Sequence, residues 1–595
     1  MEMEISQVIE ELRRSGVHVS RRDLLRYAGL GSVAVASASL LAACGGGSET
    51  ATSAAGGSNA TSAASSGGSG STPSASGATP ASGGAASTAS TGSGGTPQKG
   101  GIWRMAIQSD PVPYPVTFPN ALPDILVSKT MYNNLTRYQL KDNVIQVVPD
   151  LAESWEANEE VTEYTFKLKS GVKWHDGEPV TADDVKFTYD TELDPKVNVW
   201  SRGPISSIKE VQVVDDLTVK FVLSSPYAPL PVMLGYNRCI VPKHLLEGKD
   251  PNQPADFLKN PVGTGPFKFK QASPGTFLEV EANPDYFDGP PYLDGIVFKV
   301  IPDGNNRVAQ ILSGELDFTP IDTSQVKSLQ GKDNVIIRQA PQVYYDYIAF
   351  NWKQERFHDI RVRQAFAMAL DKPAMLKSFL NGYGKVANGP INPLLGDYYK
   401  EIPEPYPQDL DKANSLLDEA GWKKGSDGIR VNDKGEKFTV SFLGANIFPV
   451  FKADMVYAQQ QFQKIGIDVK LDIVSWTENN TKELAFQWDL LRSYWITPPE
   501  PDQYDHYFSS SKANNWAYSN KDVDDLLVKA RTEPDHAKRV EMYHQLQEML
   551  AKDLPLIYLY YEQEVQAVST KTQNLPLIGY RDALTWMNKV WIGKA

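Results

Sequence analysis

Eleven residues, RSYWITPPEPD (492–502), gather groups that could hold a small molecule. Arg492 is a cation, Tyr494 and Trp495 are flat aromatic faces, and Glu500 and Asp502 are acids set among prolines. Proline lacks an N–H and fixes φ, so such a stretch suits neither a helix interior nor a central strand. The expectation is a stiff loop that presents its side chains. Aromatic faces stack on sugars or apolar side chains, and the acids would meet a ligand cation.

Catalytic patterns are missing from the sequence. The histidines are His18, His175, His244, His358, His506, His536 and His544, and none sits in HExxH or in a Cys/His cluster with metal spacing. His536 and His544 read as a solvated helix face. No Walker A loop is present. S-x-x-K recurs at Ser170, Ser206, Ser324 and Ser509 without a companion K-T-G, which marks chance. No metal, no cofactor and no enzymatic activity are expected.

The elements that must position these residues occupy a 595-residue chain, too long for one hydrophobic core. A net charge of −13 without a long basic run argues against nucleic acid as a partner. With only Cys44 and Cys239, a disulfide scaffold is excluded. The first 43 residues read as a cleaved signal peptide. A charged region, SRRDLLR, precedes a short apolar run that ends in LLAAC. LAAC resembles a lipobox with Cys44 as the lipidated residue, and Arg21–Arg22 resemble a twin-arginine export signal. Residues 44–99 are then almost entirely Gly, Ser, Ala, Thr and Pro. Such a composition cannot offset its ordering entropy, so a flexible tether of about 40 Å r.m.s. reach is expected. Cys239 is left as a core or half-buried thiol.

From residue 100 onward, strand-like and helix-like runs alternate. Strands are expected at EYTFKLK (163–169), LTVKFVL (217–223), FLEVEA (277–282), GIVFKVI (295–301), FTVSFLG (438–444) and LPLIYLYY (554–561). TADDVKFTYDTEL opens a helix with Thr181 and Asp184 at capping-box spacing. DIRVRQAFAMALDK (359–372) reads as one helix ending before Pro373, with Arg361 and Arg363 near Asp359 for a structural ion pair. A charged helical pair follows on either side of Pro534. The fold class is α/β, in two or three domains.

Several blocks carry a resemblance in a fixed order. They include LAESWEANEEVTEYTFKLKSGVKWHDGEPVTADDVKFTYD (151–190), PVGTGPFKF (261–269), NPDYFDGPPYLDGIVFKVI (283–301), FNWKQERFHDIRVRQAFAMALDK (350–372) and ANSLLDEAGW (413–422). On these the body, residues 101–595, resembles the extracellular solute-binding proteins of family 5, the peptide-, nickel- and sugar-binding subunits of bacterial ABC importers. The motif residues themselves read as scaffold: HDGEP gives an Asp-Gly turn, and GTGP gives backbone freedom at Gly263 and Gly265.

The resemblance implies a two-lobed, hinged fold of the type II periplasmic-binding class with an extra domain. Lobe I would use 100–136, 261–348 and 560–595. The extra domain would be 137–260, and lobe II 349–559. The hinge would lie near YYDYIAFN (344–351) and IYLYYEQE (557–564). The implied function is a membrane-tethered receptor that closes on a solute, a peptide first and an oligosaccharide or another non-peptide solute second, and hands it to a permease. A signalling or enzymatic envelope lipoprotein is the alternative of another class. The implied partners are the solute, the ABC permease and ATPase subunits, and the membrane through the lipid anchor. A monomer on the outer face of the cytoplasmic membrane is expected. Peptide-binding members carry W-x-x-D in this region, with the acid on the peptide amine. Here Trp495 fits, but Pro498 stands at the acid's place. Glu500 or Asp502 would then substitute, with Arg492, Tyr494, Trp495, Tyr345, Tyr347 and Tyr560 as the remaining solute contacts. Tyr344 and Trp352 lie in the same segments.

Overall fold

Three sheets hold most of the strands, and two short crossings join the larger pair. The computed structural model describes residues 95–116, 122–199, 202–496 and 498–593. The leader, Cys44 and the linker up to residue 94 lie outside the described residues. The first sheet runs in the order Val335–Pro341, Tyr560–Ser569, Phe318–Pro320, Ile102–Ile107, Gly295–Val300, Phe277–Ala282, Phe267–Ser273. The second runs Asp468–Val474, Thr439–Ala445, Leu490–Ile496, Tyr344–Phe350, Leu556–Tyr558. A smaller antiparallel sheet spans Ala152–Ala157, Glu163–Leu168, Thr218–Leu223 and Ile208–Asp215.

The chain passes from the first sheet to the second at Gln342–Val343 and returns at Leu559. LPLIYLYY is therefore not one strand. Leu556–Tyr558 pairs with Tyr347–Ala349 in the second sheet, whereas Tyr560 onward belongs to the first. The residues Tyr344–Ile348, expected in the first lobe, likewise sit in the second sheet, because Tyr344–Phe350 pairs throughout with Leu490–Ile496.

Local chemistry explains the scaffold motifs. Thr181 caps the helix Ala182–Leu193 in a capping box: its backbone N–H donates to Asp184 Oδ2 at 3.0 Å. Trp174 Nε1 and the Lys243 backbone N–H also donate to Asp184, so one acid ties three segments together. The glycines of GTGP serve close approach rather than freedom. A Cβ on Gly263 would lie 1.9 Å from the Met131 carbonyl oxygen. The His175 ring bridges HDGEP to that loop, 3.0 Å from the Gly265 carbonyl and 3.1 Å from the Gly263 N–H. Burial pushes its pKa down to about 4.

DIRVRQAFAMALDK forms a shorter helix than expected, Ile360–Met368. Pro373 instead occupies the first turn of the next helix, Lys372–Phe379, where a missing N–H costs nothing. Arg361 pairs with Asp359, but Arg363 is buried and donates to the carbonyls of Leu554 and Asp553. Cys239 is buried and free, and burial pushes its thiol up to about 12.

The first sheet and the small sheet share one apolar core, in which Met105 and Phe298 are continuous with Phe166 and Phe221. The second sheet carries a separate core on each face. One packs Ile348, Phe442 and Leu490 against the helices Ile360–Met368 and Pro449–Lys464. The other packs Tyr345, Tyr347 and Leu491 against the helices Lys521–Thr532 and His536–Asp553. Among the described residues no helix is long and apolar enough to cross a membrane.

Candidate functional site

Strands Thr439–Ala445, Asp468–Val474 and Leu490–Ile496 run parallel, so their carboxyl ends share one edge of the second sheet. Ligands of open α/β sheets bind outside that edge. Phe448 lies just beyond the first of these strands and Trp476 just beyond the second, each at the start of a helix. Both rings are exposed, 43% and 42%, where a structural aromatic would be covered. Tyr494 connects them, with ring centroids 5.7 Å from Phe448 and 6.3 Å from Trp476. Tyr344 meets Tyr494 edge-on at 6.1 Å. Burial, Asp346, Arg581 and Tyr236 all act on the Tyr494 hydroxyl, with a net upward shift of its pKa.

Half of RSYWITPPEPD is strand, not loop. Leu490–Ile496 sits centrally in the second sheet, and the prolines begin only after it ends. Strand alternation then divides the expected wall. Arg492 and Tyr494 point to the face of the helix Pro449–Lys464, while Ser493 and Trp495 point to the opposite face.

On the first face, Arg492 is fully buried in an ion network. Its Nη2 lies 2.7 Å from Asp346 Oδ1 and 2.8 Å from Asp454 Oδ2, and its guanidinium covers the Phe451 ring. Burial opposes its charge, but Asp346 and Asp454 more than offset this and raise its pKa. Tyr560 is also internal, donating its hydroxyl to Asp454 at 2.9 Å. Asp454 is shifted up to about 6, by burial first, with Arg492 pulling down and Asp346 pushing up.

On the second face, Trp495 is half-buried and its ring meets His506 edge-on at 3.8 Å. Neither ring nitrogen of His506 has a hydrogen-bond partner, and burial alone lowers its pKa to about 3. Trp516 Nε1 and the Gln503 amide are likewise buried without partners. Tyr345 and Tyr347 are buried here as packing: Tyr345 contacts Tyr558 and Tyr507, and Tyr347 packs edge-on against Trp516. Trp352 is packed as well, against Tyr518 and under the Arg363 guanidinium.

Glu500 and Asp502 lie in a different environment from the one expected. Glu500 is buried and ion-paired with Arg539, and Asp502 is held by Arg531 at 2.8 Å. Arg531 in turn covers Tyr227 of the small-sheet domain, and its carbonyl accepts from the Ala228 N–H at 3.1 Å. Asp502, through Arg531, thus sits at a seam between domains, whereas Glu500 is paired with Arg539 of the helix His536–Asp553. His536 is exposed and His544 half-buried, and both contact Asp397.

The profile of the bacterial extracellular solute-binding proteins, family 5 (middle), matches residues 146–516. The chain belongs to this family. The family 5 chain is 33% identical over 508 residues to the oligopeptide-binding protein AppA of Bacillus subtilis, covering 84% of this chain and 93% of AppA. Solved with a nonapeptide, AppA superposes with a TM-score of 0.71 at 32% identity, covering 84% of this chain and all of that one. The dipeptide-binding protein of Escherichia coli is 28% identical over 73% of this chain and 84% of its own length. NikZ of Campylobacter jejuni, solved with Ni(L-His), has a TM-score of 0.72 at 27% identity, covering 82% of this chain and 99% of that one. The two-lobed α/β fold and the extracytoplasmic, non-enzymatic role of a solute-binding protein follow for the family 5 chain.

Sequence reasoning missed Phe448, Trp476, Asp454, Asp346 and Glu562. Two signals could have found some of them. An aromatic residue directly follows a strand in LGANIFP and in VSWTE, and a carboxylate interrupts an aromatic strand in YYDY and in YYEQE.

Proposed function

We propose that this chain captures peptides at the carboxyl edge of its second sheet and presents them to an ABC importer. The observation that carries the reading is the exposed aromatic rim, Phe448, Trp476 and Tyr494, at the strand ends of a chain one-third identical to an oligopeptide-binding protein. Flat rings accept peptide side chains of varied shape. Tyr494 packs against Phe448 and Trp476, and Trp495 lies on the opposite face of the strand beside polar groups that lack partners. A solute touching both lobes favours the closed form through its higher affinity for that form.

The receptor delivers its cargo to a permease driven by an ATPase, acts as a monomer, and is held at the outer face of the cytoplasmic membrane. The LAAC sequence ending at Cys44 and the Gly/Ser/Ala/Thr-rich stretch that follows it support the anchoring. Native mass spectrometry of the gently purified protein identifies the co-purified solute, and titration with peptides and oligosaccharides of matched length ranks them. The expected result is a peptide in the protein and micromolar peptide binding. An oligosaccharide that outranks every peptide overturns the reading.

A further inference from the structure

Two segments that pack on the shared core of the first and small sheets also touch the second lobe, and neither belongs to the crossings. One is the hairpin of Thr136–Lys141 and Val144–Pro149. Asp142 and Asn143 turn it with φ of 51° and 61°, the left-handed pair of a two-residue hairpin turn. Its strands are fixed to their own side. The Tyr138 hydroxyl donates to the Val232 carbonyl at 2.6 Å, and Trp586 Nε1 donates to the Tyr138 carbonyl at 3.0 Å. Its tip meets Gly396 in the segment Pro393–Tyr398. The second lobe holds that segment through Leu395, which joins the Tyr345 core, and through Gln547 Nε2, which donates to the Tyr398 carbonyl at 2.9 Å. Gly396 has φ 64° and ψ −127°, a backbone that glycine alone adopts readily. A Cβ there would lie 2.9 Å from Val144 Cγ1, so the seat is shaped for the tip.

The other segment is Tyr227–Ala228, which the Tyr164 hydroxyl holds from behind by donating to the Tyr227 carbonyl at 3.0 Å. The Ala228 N–H donates to the Arg531 carbonyl at 3.1 Å, and the Arg531 guanidinium lies 5.1 Å from the Tyr227 ring. Arg531 is in the last turn of the helix Lys521–Thr532, where carbonyls have no partner within the helix. A backbone donor from outside the lobe supplies one. Both contacts are small, and the apolar cores on the two sides stay separate. Beside Arg531 the seam leaves a cavity of about 140 Å³ lined by Ser206, Ser207, Ser224 and Ser225. Across an interface that is neither large nor hydrophobic, relative domain motion is the default.

We propose that these contacts form a latch. The small-sheet side clasps the closed second lobe, Val144 on Gly396 and Ala228 on Arg531, and a solute enters or leaves only when both contacts part. The latch favours closure through groups that do not touch the solute, so it sets how long a bound solute stays. It goes beyond the peptide reading and applies to any solute that the lobes enclose.

The test is a crosslink across the latch. Val144 Cβ lies 3.7 Å from an ideal Cβ at position 396, the separation that a disulfide needs. The purified protein carrying Val144→Cys and Gly396→Cys is compared oxidised and reduced, with tetra-alanine uptake and release followed by stopped-flow tryptophan fluorescence. The oxidised form is expected to take up no tetra-alanine, and when loaded before oxidation to release it at least about tenfold more slowly, with dithiothreitol restoring both rates. Val144→Asp alone, which keeps the glycine and loses the apolar contact, is expected to speed release about tenfold, the equivalent of about 1.4 kcal/mol. Equal rates in the oxidised and reduced forms overturn the latch, and so does wild-type release from Val144→Asp. If the double variant fails to fold or to crosslink, Val144→Asp decides. Binding of maltotetraose but not of tetra-alanine overturns the peptide reading and not the latch, which the same variants then test with maltotetraose. Small-angle scattering without solute needs no binding at all: a reduced double variant more extended than the oxidised one supports the latch, and equal radii of gyration overturn it.

Discussion

The two faces of strand Leu490–Ile496 are built on opposite principles. On one, Arg492 is paired with Asp346 and Asp454, and Tyr560 donates its hydroxyl to Asp454. On the other, Trp495 lies among rings and neutral polar groups, of which His506 and Trp516 Nε1 are buried without partners. A buried ion network fixes geometry, because removing one member strands the others. A pocket of unpartnered neutral groups carries that desolvation cost itself, and relief comes from whatever supplies the missing hydrogen bonds. The first face therefore acts as the rigid support beneath the aromatic rim. The second is the adaptable one.

Breaking the charged face has the largest effect. Arg492→Met leaves Asp346 and Asp454 buried without a cation and should cost about 3–5 kcal/mol, read as a drop in the urea midpoint. Trp495→Ala, three residues along the strand on the other face, should cost less, about 2 kcal/mol, because its ring is only half-buried. Equal losses would erase the distinction between the faces.

Glu500→Gln comes next. It strands the buried Arg539 and should cost about 3 kcal/mol. The ratio of free-amine to acetylated peptide affinity should stay as in the wild type, since Glu500 serves an arginine and not a solute. A collapsed ratio would return Glu500 to the binding site.

The faces should also titrate with opposite sign. Asp454 is raised from 3.8 to about 6, so the folded state binds its proton more tightly and stability falls as pH rises through that window. His506 is lowered from 6.5 to about 3, so the unfolded state takes the proton and stability falls as pH drops through that range. Between pH 4 and 6, unfolding of Asp454→Asn should gain a steeper rise in stability with pH, and His506→Leu a shallower one. Slopes that move together would contradict the electrostatic account.

The sequence revealed the frame more fully than the site. Periodicity located Glu163–Leu168, Thr218–Leu223 and Phe277–Ala282, because each strand alternates or runs apolar between clear turns. It failed at LPLIYLYY, where a continuous apolar run hides the change of sheet at Leu559. Proximity along the chain grouped Arg492, Tyr494, Trp495, Glu500 and Asp502 into one wall. Strand alternation separates the first three, and the arginines that neutralise the acids come from 531 and 539, a pairing no local pattern announces. Asp346 and Asp454 lie on separate segments and meet at Arg492, while Glu562, on a third, is held by Tyr344.

The smallest effect on stability should accompany a large one on binding. Phe448→Ala and Trp476→Ala remove exposed rings and should shift stability by no more than about 0.5 kcal/mol. Each should weaken peptide binding about tenfold, the equivalent of about 1.4 kcal/mol, by calorimetry. A rim that tolerates both without loss of affinity is not the contact surface.

Amide hydrogen exchange, with and without a bound peptide, tests most directly the claim that the solute sits at the carboxyl edge of the second sheet. The account predicts new protection at residues 344–346, 445–449 and 474–477, where the strand ends and the aromatic rim meet. Protection confined to 498–505, with the rim unchanged, would contradict it.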